Sequence, residues 1–372
     1  MSAIFNQDYL KSICAEFSVQ GQLFSCDAYG NGHINDTWRI ACSVDGKLCS
    51  YVLQRVNHAI FKDVPALMEN VMRVCQHMAG LELENGSVDG LKKSLVLVLT
   101  KTGSPYYKTT DGNFWRIYDF VENTLSVDIL ENETQAFQAA KSFGAFQRCL
   151  ADLPGPRLNE TIPNFHNTIS RFAAFKAIVA SDPAKRVASA SSEIDFVCAR
   201  ENLSSSLLDL LKAGAIPERI THNDTKINNV LLDPKTGHGI CVIDLDTVMP
   251  GLALYDFGDM VRSASNAAAE DETNLDLVHC RLSIFEALVR GYLEGTGPML
   301  NKAEKLNLPL AAQVITYEIG MRFLTDYLNG DQYFKIKRPQ HNLDRARNQF
   351  ALVRSMEKQA LSMNQFVKQF VL

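Results

Sequence analysis

The feature that most constrains this 372-residue chain is a polar segment followed at once by a tight apolar hairpin. Ile220-Thr221-His222-Asn223-Asp224-Thr225-Lys226-Ile227-Asn228-Asn229 runs into Val230-Leu231-Leu232, and Asp233-Pro234-Lys235-Thr236-Gly237-His238-Gly239 turns the chain back. Ile240-Cys241-Val242-Ile243 returns and ends on Asp244, with Asp246 two residues on. Turn residues between two short apolar runs predict a β-hairpin. Such a hairpin carries Asp244 back beside Asp224 and Asn229. One Asp or Asn in a loop is most often a turn or cap residue. The ordered set of His, Asp, Asn, hairpin and Asp is better explained as parts of one metal-holding template.

Phosphoryl transfer asks a protein for few things. It needs a carboxylate to orient and deprotonate the acceptor hydroxyl, and hard oxygen ligands for a magnesium ion on the nucleotide phosphates. In kinases a His-x-Asp loop presents the base, an Asn five residues later faces the metal, and a hairpin returns an Asp. On that spacing Asp224 is the expected base, in contact with substrate, and Asn229 and Asp244 are the expected metal ligands. Asp246 either stands behind the metal face or caps the turn after it.

Around this centre the chain divides in two. Up to about Val121 it reads as short strands punctuated by turns, with one helix. Two apolar segments flank Tyr29-Gly30-Asn31-Gly32, Asp45-Gly46 marks a tight turn, 49–56 and 94–99 read as strands, and Asp111-Gly112 centres a hairpin. Asp63-Val64-Pro65 starts the helix, with Leu67, Val71 and Val74 on one face. From Thr134 the pattern is helical, with Pro154-Gly155-Pro156 as a stop and residues 184–192 as a loop. The expectation is an α+β chain, with a mainly antiparallel β lobe over 1–121 that binds nucleotide and a larger, mostly helical lobe over 122–372 that holds the catalytic loop and acceptor site.

Several classes are disfavoured. Lys and Arg number 37 against 42 acids, with no dense basic stripe, so nucleic acid is not an expected partner. No window offers the roughly 18 uninterrupted apolar residues of a membrane span, and the start lacks a basic then apolar leader, so a cytoplasmic protein is expected. Nine cysteines scattered singly, without a Cys-x-x-Cys pair, argue against a disulfide framework or zinc site.

The central segment resembles the signature of the aminoglycoside phosphotransferase and choline kinase superfamily, whose members share a two-lobed protein-kinase-like fold. More narrowly, 221–231, Asp244-Leu245-Asp246-Thr247-Val248-Met249-Pro250-Gly251 and Tyr255-Asp256-Phe257-Gly258-Asp259 resemble the N-acetylhexosamine 1-kinases. So do Gly30-Asn31-Gly32-His33-Ile34-Asn35-Asp36-Thr37 and Tyr51-Val52-Leu53-Gln54-Arg55-Val56-Asn57, so the resemblance spans both expected lobes. It implies ATP and magnesium as cofactors, and transfer to the anomeric hydroxyl of an N-acetylglucosamine or N-acetylgalactosamine acceptor. It also implies that Asp256 and Asp259 anchor the catalytic loop. Composition and spacing do not identify the sugar. A related kinase with another acceptor, such as an aminoglycoside, choline or another sugar, and a catalytically silent kinase-like module are the alternatives.

The remaining candidates each have a plainer reading. Gly30, Asn31 and Gly32 either close a simple hairpin or cover nucleotide phosphates with backbone amides. His33, Asn35 and Asp36 are polar beyond the needs of that turn and are candidates for sugar hydroxyls. Arg55 stands where related kinases carry a lysine, with Glu69 as its partner, unless the two form a surface ion pair. Asp119, Phe120 and Val121 lie where the lobes join and the backbone would meet adenine. Arg322 and Asp326 stand at i and i+4 on one helix, an ion pair on the plainer reading. By resemblance this region closes the sugar site, which makes Arg322 and Tyr333 candidates for acceptor contacts. His166 and Asn167 are weaker candidates, since Asn is also a common cap.

Overall fold

Asp45 and Gly46 both take positive φ, 49° and 77°, the backbone that a two-residue hairpin matched to strand twist requires. They join β2 (Asp36–Val44) to β3 (Lys47–Val56), the middle of an antiparallel sheet whose other strands are β1 (Gln22–Ala28), β4 (Leu97–Val98), β5 (Tyr107–Lys108) and β6 (Phe114–Asp119). The order is β1-β2-β3-β6-β4, with β5 paired to β6. The computed structural model describes residues 5–30, 34–85, 91, 93–127, 130 and 132–371.

Side chains alternate across a strand, and here the two faces have different fates. Trp38, Ile40, Tyr51, Leu53, Trp115 and Ile117 bury one face against α1 (Gln7–Cys14). Val52, Val56 and Tyr118 bury the other against α2 (Val64–Asn85) and join the main core of the helical lobe. Helix α2 is bolted to that lobe. Fully buried Asn70 donates to the carbonyls of Asn159 (2.8 Å) and Val248 (3.1 Å), and Arg73 donates to those of Pro154 (3.0 Å) and Pro156 (2.8 Å).

The larger lobe contains α3 (Glu133–Cys149), α4 (Thr168–Ser181), α5 (Ser191–Cys198), α6 (Glu201–Lys212), α7 (Ala253–Ala264), α8 (Leu282–Thr296), α9 (Lys302–Leu306), α10 (Leu308–Leu328), α11 (His341–Lys358) and α12 (Ala360–Lys368). Two small ribbons cross it: β7 (Arg219–Thr221) with β10 (Met249–Gly251), and β8 (Val230–Leu232) with β9 (Gly239–Val242). Helices α3 and α8 meet backbone to backbone, for a Cβ on Gly291 or Gly295 would stand 2.1 or 2.2 Å from the carbonyl oxygen of Phe137 or Lys141. The α+β architecture, small antiparallel lobe and larger helical lobe, is the one read from the sequence.

Two local expectations differ. The strand over 94–99 pairs only at Leu97–Val98, because Ser94 gives its amide to Glu82 (2.7 Å) and Lys93 gives its own to Ile240 in the helical lobe (3.0 Å). Within 184–192, Val187–Ala190 is a 3-10 turn and α5 starts at Ser191. Among the described residues, no helix is long and apolar enough to cross a membrane.

Candidate active site

The catalytic-loop candidate hangs between β7 and the 3-10 turn Ile227–Asn229. Its shape is set by a buried carboxylate at the start of α7. Asp256 accepts the backbone amides of His222 (2.9 Å) and Asn223 (2.7 Å) and a close bond from Gln147. Thr225 Oγ1 donates to the Asp256 carbonyl (2.6 Å), and Thr247 Oγ1 to that of His222 (2.7 Å). Asn223 takes φ 64°, which turns the chain sharply before Asp224. Asn tolerates that left-handed conformation better than most residues. His222 Nε2 faces the carbonyl of Ile243 (2.9 Å), which can only accept, so Nδ1 is the nitrogen that accepts the amide of Asp224 (3.3 Å). The imidazole thus ties the loop to the end of the returning hairpin.

Asp224, Asn229 and Asp244 are brought together. Lys226 Nζ lies 2.9 and 3.0 Å from the two Asp224 carboxylate oxygens. Asn229 Nδ2 donates to the Asp224 carbonyl (2.8 Å), leaving Oδ1 as the acceptor on that side chain. Burial pushes the Asp224 carboxyl up, but the charge of Lys226 and its hydrogen bond to the carboxylate more than offset it, so it sits below the ordinary range. Asp244, at φ 62°, keeps an exposed side chain while protein atoms crowd round its carboxylate. That desolvation, and then the like charges of Asp246 and Asp224, push its carboxyl up to about 6. A cation there would relieve the repulsion. Among the described residues no three His, Cys, Asp or Glu side chains form a metal cage. The donors instead suit magnesium, which takes one or two protein oxygens and fills its sphere with phosphates and water.

Arg55, expected as the phosphate-side cation, faces away from the lobe junction. Arg55 shares a face of β3 with Tyr51 and Leu53, and so points to the α1 side. There it pairs closely with Asp36, donates to Asn113 (3.1 Å) and stands 5.2 Å over the Phe5 ring. The expected partner Glu69 instead accepts from Asn159 (3.2 Å). Asp36, expected to meet sugar, is spent on Arg55. The residue of β3 that faces the lobe junction is Gln54, and its register partner on β6 is Arg116. Arg116, 1% exposed, donates to Gln54 (3.0 and 2.8 Å) and pairs closely with Asp246. Asn35 completes the cluster: Nδ2 donates to Asp246 (2.6 Å) and Oδ1 accepts the Asn57 amide (3.0 Å). Asn35 is therefore a strut between the β1–β2 connection and the loop that carries Asp244 and Asp246, and both of its side-chain atoms are committed.

Gly30 takes φ 76° with open space around it. Asn31, Gly32 and His33 lie outside the described residues. At the lobe junction the amides of Asp119 and Phe120 are already given to Val96 (3.0 Å) and Ser50 (3.1 Å). The Phe120 ring is covered by Arg39 at 4.1 Å. Those two residues offer no free amide to a base, and Val121 is the next in line.

On the opposite side, His166 precedes α4 and ties α10 to the catalytic loop. Its Nδ1 meets Glu318 (2.8 Å) and its Nε2 meets the Asn223 carbonyl (3.2 Å). Asn167 caps α4 by accepting the Ser170 amide (3.0 Å). Arg322 does not pair with Asp326. It lies over the rings of Phe165, Tyr333 and Phe334, 5.3 to 5.9 Å from their centroids. Asp326 instead accepts the amides of Gln332 (2.9 Å), Tyr333 (2.8 Å) and Phe334 (2.9 Å), fixing the loop that carries Tyr333. Sequence reasoning assigns no role to Lys226, Gln54 or Arg116. Strict alternation along β3 is the signal that turns attention from Arg55 to Gln54.

The phosphotransferase enzyme family profile matches residues 25–297. Among solved structures, an aminoglycoside phosphotransferase from Alicyclobacillus acidocaldarius is 14% identical with a TM-score of 0.60, covering 99% of this chain and 98% of that one. A microcompartment-associated aminopropanol kinase is 15% identical with a TM-score of 0.60, covering 96% and 98%. An aminoglycoside phosphotransferase solved as a GDP complex is 13% identical with a TM-score of 0.55, covering 96% and 100%.

Proposed function

Since the chain belongs to the phosphotransferase enzyme family, we propose that it is an ATP- and magnesium-dependent kinase that phosphorylates the anomeric hydroxyl of N-acetylhexosamines to sugar 1-phosphates. The observation that carries the kinase reading is the assembly of Asp224, Lys226 and Asn229 on one anchored loop beside Asp244. A relative solved with GDP supports a nucleotide donor. The acceptor reading rests on the motif resemblance in both lobes, and on the guanidinium of Arg322 on the acceptor side, whose charge disfavours a cationic acceptor.

Asp224 orients the acceptor hydroxyl and takes its proton late, which suits a carboxylate of low basicity and an anomeric hydroxyl more acidic than an ordinary alcohol. Lys226 holds Asp224 until the donor binds, and its charge then offsets the negative charge on the phosphoryl group in flight. Asn229 and Asp244 would hold magnesium, which neutralises the β- and γ-phosphates when bound. Arg116 and Asn35 fix Asp246, and through it the loop that presents Asp244.

The test is transfer from ATP and magnesium to N-acetylglucosamine, N-acetylgalactosamine, glucose, galactose, choline and kanamycin, with Asp224→Asn as control. Sugar 1-phosphate from the acetamido sugars, lost in the variant, is the expected result. Transfer only to another acceptor would overturn the sugar assignment, and transfer to none would overturn the kinase reading.

A further inference from the structure

Two guanidinium groups converge on Phe165 beside the catalytic loop. Arg171, on α4, donates from Nε (3.3 Å) and Nη2 (3.1 Å) to the Phe165 carbonyl, and Arg322, on α10, stands 5.3 Å from the Phe165 ring. Both are half-buried. Among the described residues neither pairs with a carboxylate. The neighbouring acid, Glu318, has both oxygens engaged, one by His166 (2.8 Å) and one by Thr168 (2.5 Å). Burial, and then the charge of Arg322, hold the Arg171 guanidinium below its ordinary range, while Glu318 and Tyr333 act in the opposite sense.

Two guanidinium groups facing one carboxylate that is already engaged leave an excess of positive charge, and a ligand of opposite charge or complementary polarity lowers its cost. The place is close to the chemistry, because the next residue, His166, bonds the carbonyl of Asn223, which precedes Asp224. We propose that Arg171 and Arg322 form one wall of the acceptor site, which takes the acceptor by a carbonyl or carboxylate oxygen and rejects acceptors that carry a cation. This rests on the reading that the acceptor lies against α4 and α10. It adds Arg171 as a specificity determinant and names the charge class of the substrate. With N-acetylhexosamines the oxygen is that of the acetamido carbonyl. The deacetylated amino sugar puts an ammonium group in its place.

The experiment compares kcat/KM for glucosamine and N-acetylglucosamine across pH 6.5 to 9, in the wild-type protein and in Arg171→Met. A free amine loses its charge near pH 8, so the wild-type ratio of glucosamine to N-acetylglucosamine rises about tenfold over that range. Arg171→Met raises the ratio about tenfold at pH 6.5 and flattens its pH dependence. A flat wild-type ratio overturns the proposal even if the variant does not fold, and so does a folded variant with an unchanged ratio. Transfer to choline or kanamycin with efficiency comparable to sugars overturns both this and the acetamido reading. If a different neutral or anionic acceptor is the substrate, only the acetamido reading falls. The same comparison, made between that acceptor and its amino analogue, then decides the role of the guanidinium pair.

Discussion

Asp256→Ala should separate loop geometry from substrate binding. Asp256 is fully buried and accepts two backbone amides of the catalytic loop, at 2.9 and 2.7 Å, together with the amide of Gln147. Hydrogen bonds to a charged acceptor contribute about 1.5–3 kcal/mol each, and buried donors left without a partner cost a similar amount. The two backbone bonds alone therefore amount to roughly 3–6 kcal/mol. Removing the carboxylate also removes its own desolvation, which is large enough to push its carboxyl upward, so the lower end, about 3 kcal/mol, is the expected loss. A domain stable by about 5–15 kcal/mol remains folded. The freed loop no longer holds Asp224 in line, and a misplacement of about 1 Å costs on the order of a hundredfold in rate. Urea unfolding should show a lower midpoint with an unchanged slope. Steady-state kinetics should show kcat down about a hundredfold, with the KM for ATP changed less than about threefold. A folded Asp256→Ala protein with kcat within about threefold of wild type would refute the claim that this carboxylate shapes the loop.

Three further outcomes rest on the same contacts. Arg116→Met leaves Asp246 buried without its cation and should cost about 3–5 kcal/mol, and most of that loss should disappear when Asp246→Asn is added. Strict additivity in the double-mutant cycle, within about 0.5 kcal/mol, would mean the pair does not act as a unit. Lys226→Met should lower kcat about a hundredfold and leave the acceptor KM nearly unchanged in steady-state assays, whereas a change confined to KM would assign the lysine to binding. Glu318 gives a pH signature. Burial raises its carboxyl, but His166 and Arg322 more than offset that and hold it below the ordinary range. Its ionised form therefore adds stability that is complete above the unfolded pKa, near 4.3, and is lost as pH falls through the folded value. The gap in urea midpoint between wild type and Glu318→Gln should hold above about pH 4.3 and narrow as pH falls below it, and a constant gap would show that the carboxylate charge is not what stabilises this site.

The candidate site is legible in the sequence because it is local. Asp224, Asn229 and Asp244 are held by a short loop and a hairpin, and both are written in consecutive residues with turn chemistry between them. The N-terminal sheet is legible for the same reason, with Asp45-Gly46 and Asp111-Gly112 fixing two of its connections. Contacts chosen across long sequence separations are not legible. Arg55 and Gln54 are neighbours on one strand, and a single step of alternation decides which of them faces the lobe junction. That Arg116 stands opposite Gln54 depends on a register set between β3 and β6, which no local signal specifies. Helical spacing pairs Asp326 with Arg322 because i and i+4 positions are adjacent on a helix. Three loop amides, at residues 332–334, satisfy the carboxylate better than one half-buried guanidinium could.

These long-range contacts also limit how the two lobes can move. Asn70 of α2 shares hydrogen bonds with Asn159 and Val248, and Arg73 clasps the Pro154 and Pro156 carbonyls, so α2 travels with the helical lobe rather than with the sheet. Besides its apolar face, the sheet is tied to that lobe at Asp246, held by Arg116 from β6 and by Asn35 from the β1–β2 connection. A closing motion that rocked the whole sheet would have to break a buried ion pair, which costs about 3–5 kcal/mol. β1 and β2 do not bend apart from the rest of the sheet, because β2 pairs with β3 along its whole length, from Asp36 to Val44. The sheet is therefore one unit, and Asp246 is a point at which it is tied to the helical lobe.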